Sequence, residues 1–328
     1  MLDQTKNDFD AVLRDITIRH HSYMHALLEV EDLLTFASSE SGGIIPILGP
    51  TRCGKTELLS DLKSRNQTVR RAPGMLLEKS DFVLGRVPAR PNDRDLYVAL
   101  LEAVGGTAGP KEKTSIVRER LFELISAFGI RVIALDEASH TAERGANLSA
   151  RGAGDHFKTV VDQSGVVLVL AGLPRFQSLL DANEQFAARS MKTVVIEPYS
   201  WSKDEDRKHF CAAVNSAFQC LEQAGLLLDF DKEDLVRRLY GASGGRIGQV
   251  LKMLRASIQR LPGTALSLGQ ISESASKVMQ SQVSCEMFFA LDPPSDLQLV
   301  SAYGEVMEAA QLEVSPSTVQ DLLGIQEQ

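Results

Sequence analysis

The sequence predicts an α/β protein: a five-stranded parallel sheet flanked by helices, followed by a small all-helical unit. Three observations predict it. Between Ile44 and Pro198 short apolar runs alternate with amphipathic helical segments, and most of the runs are apolar throughout. That is the pattern of parallel strands covered on both faces. After Pro198 the strand-like runs stop and helical spacing takes over. The first run passes straight into a glycine-bracketed loop, "LGPTRCGKTELL", at residues 48–59.

Taken in order, Tyr23, Leu27, Val30 and Leu34 recur at spacings of four, three and four, which is one face of a helix ending near Ala37. "SSESGG" (38–43) is a loop, and "IIPIL" (44–48) is the first strand. "ELLSDL" continues as a helix. "FVLGRVP" (82–88) reads as the second strand, and "DLYVALLEAVGG" as a helix closed by glycines. "TSIVRERLFELISAFG" is another amphipathic helix. "RVIALDEASH" (131–140) is a buried strand ending in acids, and "GVVLVLAGLP" (165–174) and "KTVVIEP" (192–198) complete the five. Phe210, Val214, Ala217 and Leu221 then form a helical stripe behind "SKDED", whose acids suit a helix N-terminus. Leu235 to Tyr240, Ile247 to Ile258, and a segment from Leu268 make the remaining helices. The expected domains are an N-terminal helical extension (1–40), the α/β domain (41–200), a helical lid (201–285) and an acidic tail (286–328).

Composition narrows the function. A chain of 328 residues, 44% of them hydrophobic, can build a sizeable core. No apolar run approaches the roughly 18 residues of a membrane span, and the polar, acidic N-terminus is unlike a secretory signal. Four scattered cysteines (Cys53, Cys211, Cys220, Cys285) lack the spacing of a zinc site or disulfide framework, which fits a reducing cytoplasm. From Glu286 onward there are eight acids and no Lys or Arg, so this segment accounts for the whole net charge of -8 and the first 285 residues are neutral. Within them Asp61 to Arg94 holds eight basic and four acidic residues. Local charge of this kind, more than the total, decides whether a surface attracts phosphate.

The loop carries the chemistry. Gly49 and Gly54 let backbone N–H groups turn inward on a phosphate, Lys55 can reach the outer phosphates, and the Thr56 hydroxyl can ligate Mg²⁺. Its setting between an apolar strand and a helix marks it as a nucleotide loop. The buried run Val132–Leu135 ends in Asp136-Glu137. The first acid is suited to hold Mg²⁺, the second to orient an attacking water. The expected nucleotide-binding set is therefore Gly49, Pro50, Thr51, Arg52, Cys53, Gly54, Lys55, Thr56, Glu57 and Asp136, with ATP and Mg²⁺ as ligands and Thr56 and Asp136 as metal ligands. Arg246, in "GASGGRIGQVLKML", opens the third lid helix, from which it can reach back to a γ-phosphate.

A sheet domain followed by a helical lid with such an arginine resembles an AAA+ P-loop ATPase. More closely, "ILGPTRCGKTELL", "VIALDEASH", "VVLVLAGLPRF", "FAARSMKTVVIEPYSW" and "SGGRIGQVLKMLRAS" resemble the TniB/TnsC family, over about residues 15–280. These are ATPase regulators of transposons, CRISPR-associated ones included. The first two motifs are generic to P-loop ATPases; the arrangement after the fourth strand and "GGRIG" are more specific. The resemblance implies assembly with ATP into rings or filaments on double-stranded DNA, without sequence preference, linking a target-selection protein of TniQ type to the transposase. It implies that a neighbouring subunit lends an arginine to each nucleotide; the matching residue is Arg189, with Arg175 second. Together with Glu137 and Arg246, Arg189 completes the expected catalytic set. It also places Lys111, Lys113 and Arg118 where relatives present basic residues to DNA.

One departure stands out. Relatives commonly end the fourth strand in a polar residue that positions the water; here it ends Gly172-Leu173. Either Ser139 or another group substitutes, or hydrolysis is slow and ATP mainly drives assembly. Lys63, Arg65, Arg70 and Arg71 read equally as a phosphate-contacting patch or a solvated helix end. His20, His21 and His25 read as a solvated or partner-facing helix end. "SPSTVQDLLGIQEQ" at the C-terminus can place Val319, Leu322 and Leu323 on one side for docking to the transposase. Two other functions fit less well: a helicase- or initiator-loading ATPase of the same fold, and a nucleotide-dependent scaffold that binds no DNA.

Overall fold

The computed structural model describes residues 18–70, 79–143, 147–261, 263–279 and 285–313, which fall into two compact units. The first comprises residues 25–51 and 55–196; the second comprises the described residues before 25, residues 52–54 and those from 197. The first helix of the described residues is α1 (His21–Ser39), and Leu27, Val30 and Leu34 on its predicted face are buried.

The first unit is the predicted five-stranded parallel sheet. Its strands are β1 (Gly43–Leu48), β2 (Phe82–Arg86), β3 (Val132–Asp136), β4 (Val167–Gly172) and β5 (Val194–Val195), in the spatial order β2-β3-β4-β1-β5. The register sets Gly43 opposite Val167 and Leu48 opposite Gly172, and Arg86 opposite Asp136. Helices α2 (Lys55–Asn66), α3 (Asp93–Ala103), α4 (Thr114–Phe128) and α5 (Ala150–Ser164) form the crossovers. One core cluster gathers Leu96, Leu100, Leu121, Ile133, Phe157, Leu168 and Leu170 from strands and helices alike. β1 and β4 are buried along their whole length, which is why their sequences are continuous apolar runs.

The fifth strand is shorter than "KTVVIEP" suggests, and Pro46 supplies a reason. Ile44 bonds through both its N–H and its C=O to the β5 side of β1, and Leu48 accepts there from Ile196. Pro46 belongs to the same alternate set, so its missing N–H removes one ladder bond on that side. The edge is accordingly split into a bridge at Ser190 and a pair of residues at Val194–Val195.

The second unit is mainly helical: α6 (Asp204–Gln223), α7 (Lys232–Ser243), α8 (Ile247–Gln259), α9 (Leu268–Val278) and α10 (Asp296–Ala309). It corrects the expectation of an all-helical unit, because β6 (Leu227–Asp229) and β7 (Ala265–Ser267) pair as a two-stranded parallel sheet, runs too short to show a strand pattern in the sequence. Its core includes Phe210, Phe218, Leu239, Tyr240, Leu254 and Ile271. It also includes Phe288, Leu299, Val300 and Ala302, which lie in the segment read from composition as a tail apart from the lid. Their placement corrects the expectation that this segment is an acidic tail separate from the lid: α10 carries an apolar cluster near Leu299 against the other helices, with Tyr303 and Met307 also buried. The second cluster of that segment, Val319, Leu322 and Leu323, lies outside the described residues. No helix among the described residues is long and apolar enough to cross a membrane.

Candidate nucleotide site

In the first unit the sheet delivers its chemistry at one end. Leu48, Arg86, Asp136 and Gly172 are the last residues of β1 to β4, and the glycine loop leaves directly from Leu48. Gly49 donates its N–H to Gly172 O at 3.3 Å, and a Cβ there would meet Ile196 O at 2.6 Å. Only glycine lets the loop start this close to the next strand. Gly54 turns the loop at φ +89°. Lys55 Nζ donates to Gly49 O and Pro50 O, each at 2.7 Å, so the lysine is cradled by its own loop. Glu57 lies in the exposed first turn of α2, next to Thr56.

Thr56 and Asp136 come together from 80 residues apart in sequence: Thr56 Oγ1 donates to Asp136 Oδ2 at 2.5 Å. A hydroxyl and a carboxylate are the hard oxygen donors that suit Mg²⁺. Glu137 follows in left-handed backbone, φ +57°, with its N–H on Asp136 Oδ1 at 2.8 Å. This turn sends the two acids in different directions. The Glu137 carboxylate stands 3.7 Å from Arg86 Nη2 and 3.8 Å from His140 Nε2. His140 Nδ1 in turn lies 2.7 Å from Glu143 Oε1, which also accepts from Arg175 Nη2 at 2.7 Å. Sequence reading missed His140 and Glu143. Their three-residue spacing, on the turn that follows Asp136 and Glu137, is the signal that could have found them.

Gly172 is where the missing polar residue matters. A Cβ on it would meet Ser139 N at 2.8 Å, so the glycine admits the next turn, and Ser139 is fully buried behind it. Among the described residues the Ser139 hydroxyl has no hydrogen-bond partner, and it has no access to solvent.

Arg189 lies at the other end of the sheet. Its carbonyl accepts from Ile44, near the start of β1, about 13 Å of strand before the loop begins. Its side chain is half exposed and donates Nε to Asp162 Oδ1 at 2.7 Å. A concavity of about 500 Å³ surrounds it, lined among others by Phe36, Ser41 and Met191. Within its own chain Arg189 is thus held away from the phosphate loop. Arg175, the second candidate, is committed to Glu143.

In the second unit "GGRIG" is a sequence of close approaches. A Cβ at Gly244 would strike Val306 at 2.4 Å, at Gly245 Tyr199 O at 2.2 Å, and at Gly248 Arg52 O at 2.4 Å. The tip of the loop, Arg52 to Gly54, packs with this unit, and Arg246 caps α8 beside Cys53. Arg246 Nε donates to Ser243 O at 2.7 Å, and burial pulls its guanidinium below the usual arginine value. The other loop residues, Thr51 and Arg52, are exposed.

The three basic residues assigned to DNA divide. Lys111 and Lys113 are exposed on either side of Glu112, which is bound to Arg120. Arg118 is half-buried and turned toward the Tyr97 hydroxyl, whose pKa is raised by burial and partly restored by that arginine. Arg65 is bonded to Glu31 through Nε at 2.7 Å and Nη2 at 3.0 Å; Arg71 lies outside the described residues. His20 is hydrogen-bonded to the Tyr199 hydroxyl at 2.7 Å rather than solvated, and His21 stacks on His209.

Residues 9–200 match the family model of bacterial TniB protein. No curated protein matches the sequence. Among solved structures, Cdc6p from Pyrobaculum aerophilum superposes with a TM-score of 0.60 at 14% identity, covering 97% of this chain and 89% of that one. ORC2 of Aeropyrum pernix, in ADPNP–ADP complexes, gives 0.55 at 12% identity over 88% and 87%. Drosophila ORC bound to DNA gives 0.51 at 11% identity over 98% and 83%. At such identities the likeness carries the fold, that of AAA+ ATPases, and no more. The family match spans more than half of the chain, and the chain belongs to the bacterial TniB family.

Proposed function

We propose that the chain is an ATP-dependent regulator of DNA transposition that assembles on double-stranded DNA, without sequence preference, and links a target-selection protein of TniQ type to the transposase. The observation that carries the ATPase part is the union of Thr56 with Asp136 at the end of the glycine loop, with Glu137 beside Arg86 and His140. Lys55 and the loop N–H groups would bind the phosphates of ATP, and Thr56 and Asp136 would hold Mg²⁺. The metal would neutralise charge on the phosphates, and Glu137 would accept the proton of the attacking water. Arg246 stays in the proposed catalytic set.

Assembly into a homo-oligomer is supported by Arg189. An arginine at the far end of the sheet, half exposed beside a concavity, suits a role toward the nucleotide of a neighbouring subunit. Lys111 and Lys113 are the exposed candidates for the duplex backbone, Arg118 a weaker one; backbone contacts position a protein on DNA without reading sequence. Family membership supports the transposition role, a cytoplasmic setting and the two protein partners. The four-part domain division remains part of this reading, with the boundary of the acidic segment drawn after α10.

A second reading, a helicase- or initiator-loading ATPase, draws on the likeness to Cdc6p and ORC. Electron microscopy of the chain with linear duplex and a non-hydrolysable ATP analogue tests the proposal. Nucleotide-dependent rings or filaments on duplexes of unrelated sequence are expected. Binding confined to one origin-like sequence would favour the second reading, and no DNA binding would leave only the scaffold.

A further inference from the structure

The attacking water of an ATPase needs two contacts to point its lone pair at phosphorus. Glu137 supplies one. Leu173 cannot supply the other, and the Ser139 hydroxyl is sealed behind Gly172. We propose that His140 supplies it, as acceptor for the second hydrogen of that water, with Glu143 and Arg175 holding the ring in place. This rests on the ATPase reading above.

The geometry runs in three steps. Glu137 caps the 3₁₀ turn Ala138–Ala142, and His140 N–H closes on Glu137 O at 3.0 Å. That brings the two side chains to one side. Next, the Glu143 carboxylate accepts at 2.7 Å from Nδ1 of His140, which in the neutral ring places the proton on Nδ1 and leaves a lone pair on Nε2. Arg175 donates to the same Glu143 oxygen at 2.7 Å, so a second turn, Pro174–Phe176, fixes the carboxylate. Finally, Nε2 lies 3.8 Å from Glu137 Oε2. That is too long for a direct hydrogen bond and within the span of one water making two bonds of about 2.8 Å.

During hydrolysis the water oxygen bonds to the γ-phosphorus. The bond from that phosphorus to the bridging oxygen breaks, and its electron pair stays on ADP. Glu137 takes one proton of the water; His140 keeps the other hydrogen in a hydrogen bond and is not itself protonated. Glu143 and Arg175 are positioning residues.

The test measures ATP turnover by the full chain with duplex DNA, and separately the affinity for a fluorescent non-hydrolysable ATP analogue. His140→Ala is expected to lower kcat by between about tenfold and a hundredfold, with KM and analogue affinity within about twofold. His140→Gln, whose amide oxygen can accept from the same water, is expected to recover part of kcat. Glu143→Gln is expected to fall between the parent and His140→Ala. A His140→Ala chain that turns over ATP like the parent overturns the inference alone. Equal loss in both His140 variants, with analogue binding lost too, marks the residue as structural and overturns it as well. A parent that binds the analogue without turnover overturns the ATPase reading and this inference together.

Discussion

Arg238 and Arg189 are both arginines bonded to an aspartate, and they are held in opposite ways. Arg238, on α7, is 3% exposed. It donates to Asp234 at 2.8 Å, to Phe288 O and Ala290 O at 3.1 and 2.6 Å, and to Leu291 O at 3.4 Å. Its neighbour Arg237 holds Pro294 O and Asp296. The pair thus pins the whole connection from Phe288 to α10. Arg189 is half exposed and shares one bond with Asp162. A guanidinium surrounded by backbone carbonyls is a clamp, and removing it orphans buried acceptors. A half-exposed guanidinium on a single carboxylate costs little to detach and can be redirected. Arg238 therefore holds the chain, and Arg189 is held loosely enough to be redirected.

The largest expected effect lies at the strand ends. Lys55→Ala removes the cation that anchors the outer phosphates, and is expected to abolish ATP-dependent assembly on DNA while leaving the circular dichroism spectrum unchanged. DNA-bound oligomers at saturating ATP would break the distinction at its strongest point. Arg189→Ala is next, with turnover down on the order of a thousandfold, the scale of an arginine supplied by a neighbour, and nucleotide affinity little changed. Mixing sharpens it. A Glu137→Gln chain still carries Arg189, and an Arg189→Ala chain still carries Glu137. Their mixture is expected to recover activity at interfaces that combine the intact halves. A mixture as inactive as its components would show that Arg189 serves no neighbour.

Much of this contrast was legible in the sequence on one side and little on the other. The glycine loop and Asp136-Glu137 are local signals: adjacent residues whose roles follow from the strand they terminate. The three inner strands β1, β3 and β4 were legible because burial on both faces makes each a nearly continuous apolar run, whereas the edge strands β2 and β5 are only partly buried. Pro46 shortened β5 through a ladder bond that no local pattern displays. The clamp was invisible because the partners of Arg238 are carbonyls 50 to 53 residues away, and every residue has a carbonyl. The acidic composition after Glu286 suggested a tail separate from the lid, whereas Leu299 and Tyr303, four apart on α10, face the core. His140 and Glu143 went unread because their importance depends on Arg175, from a different strand end.

Arg238→Ala tests the clamp. It is expected to cost on the order of 3 kcal/mol of stability, since Asp234 and three carbonyls lose their buried donor. Activity per folded molecule should persist, because no strand-end group is touched. Denaturant midpoints measure the first and single-turnover ATP hydrolysis the second. A chain as stable as the parent would show that the segment after Phe288 docks without this arginine.

The smallest expected effect belongs to Lys111 and Lys113, which have the exposure of Arg189 and stand on a braced loop. Arg94 holds Glu112 O at 3.0 Å and Gly109 O at 2.5 Å, and Arg120 holds the Glu112 carboxylate, so the lysines can change without moving the backbone. If they contact phosphates, each releases condensed counterions on binding. Replacing both with alanine should then weaken binding to all duplex sequences alike, and lower the slope of log affinity against log salt by about 2. Arg118→Ala should change the slope less, since that side chain is half-buried toward Tyr97. Titrations at several salt concentrations with the ATP analogue present measure both. An unchanged slope in the double variant would move the contact surface elsewhere. Lys63, on the last turn of α2, is the next basic group to test, because Arg65 beside it is already bonded to Glu31.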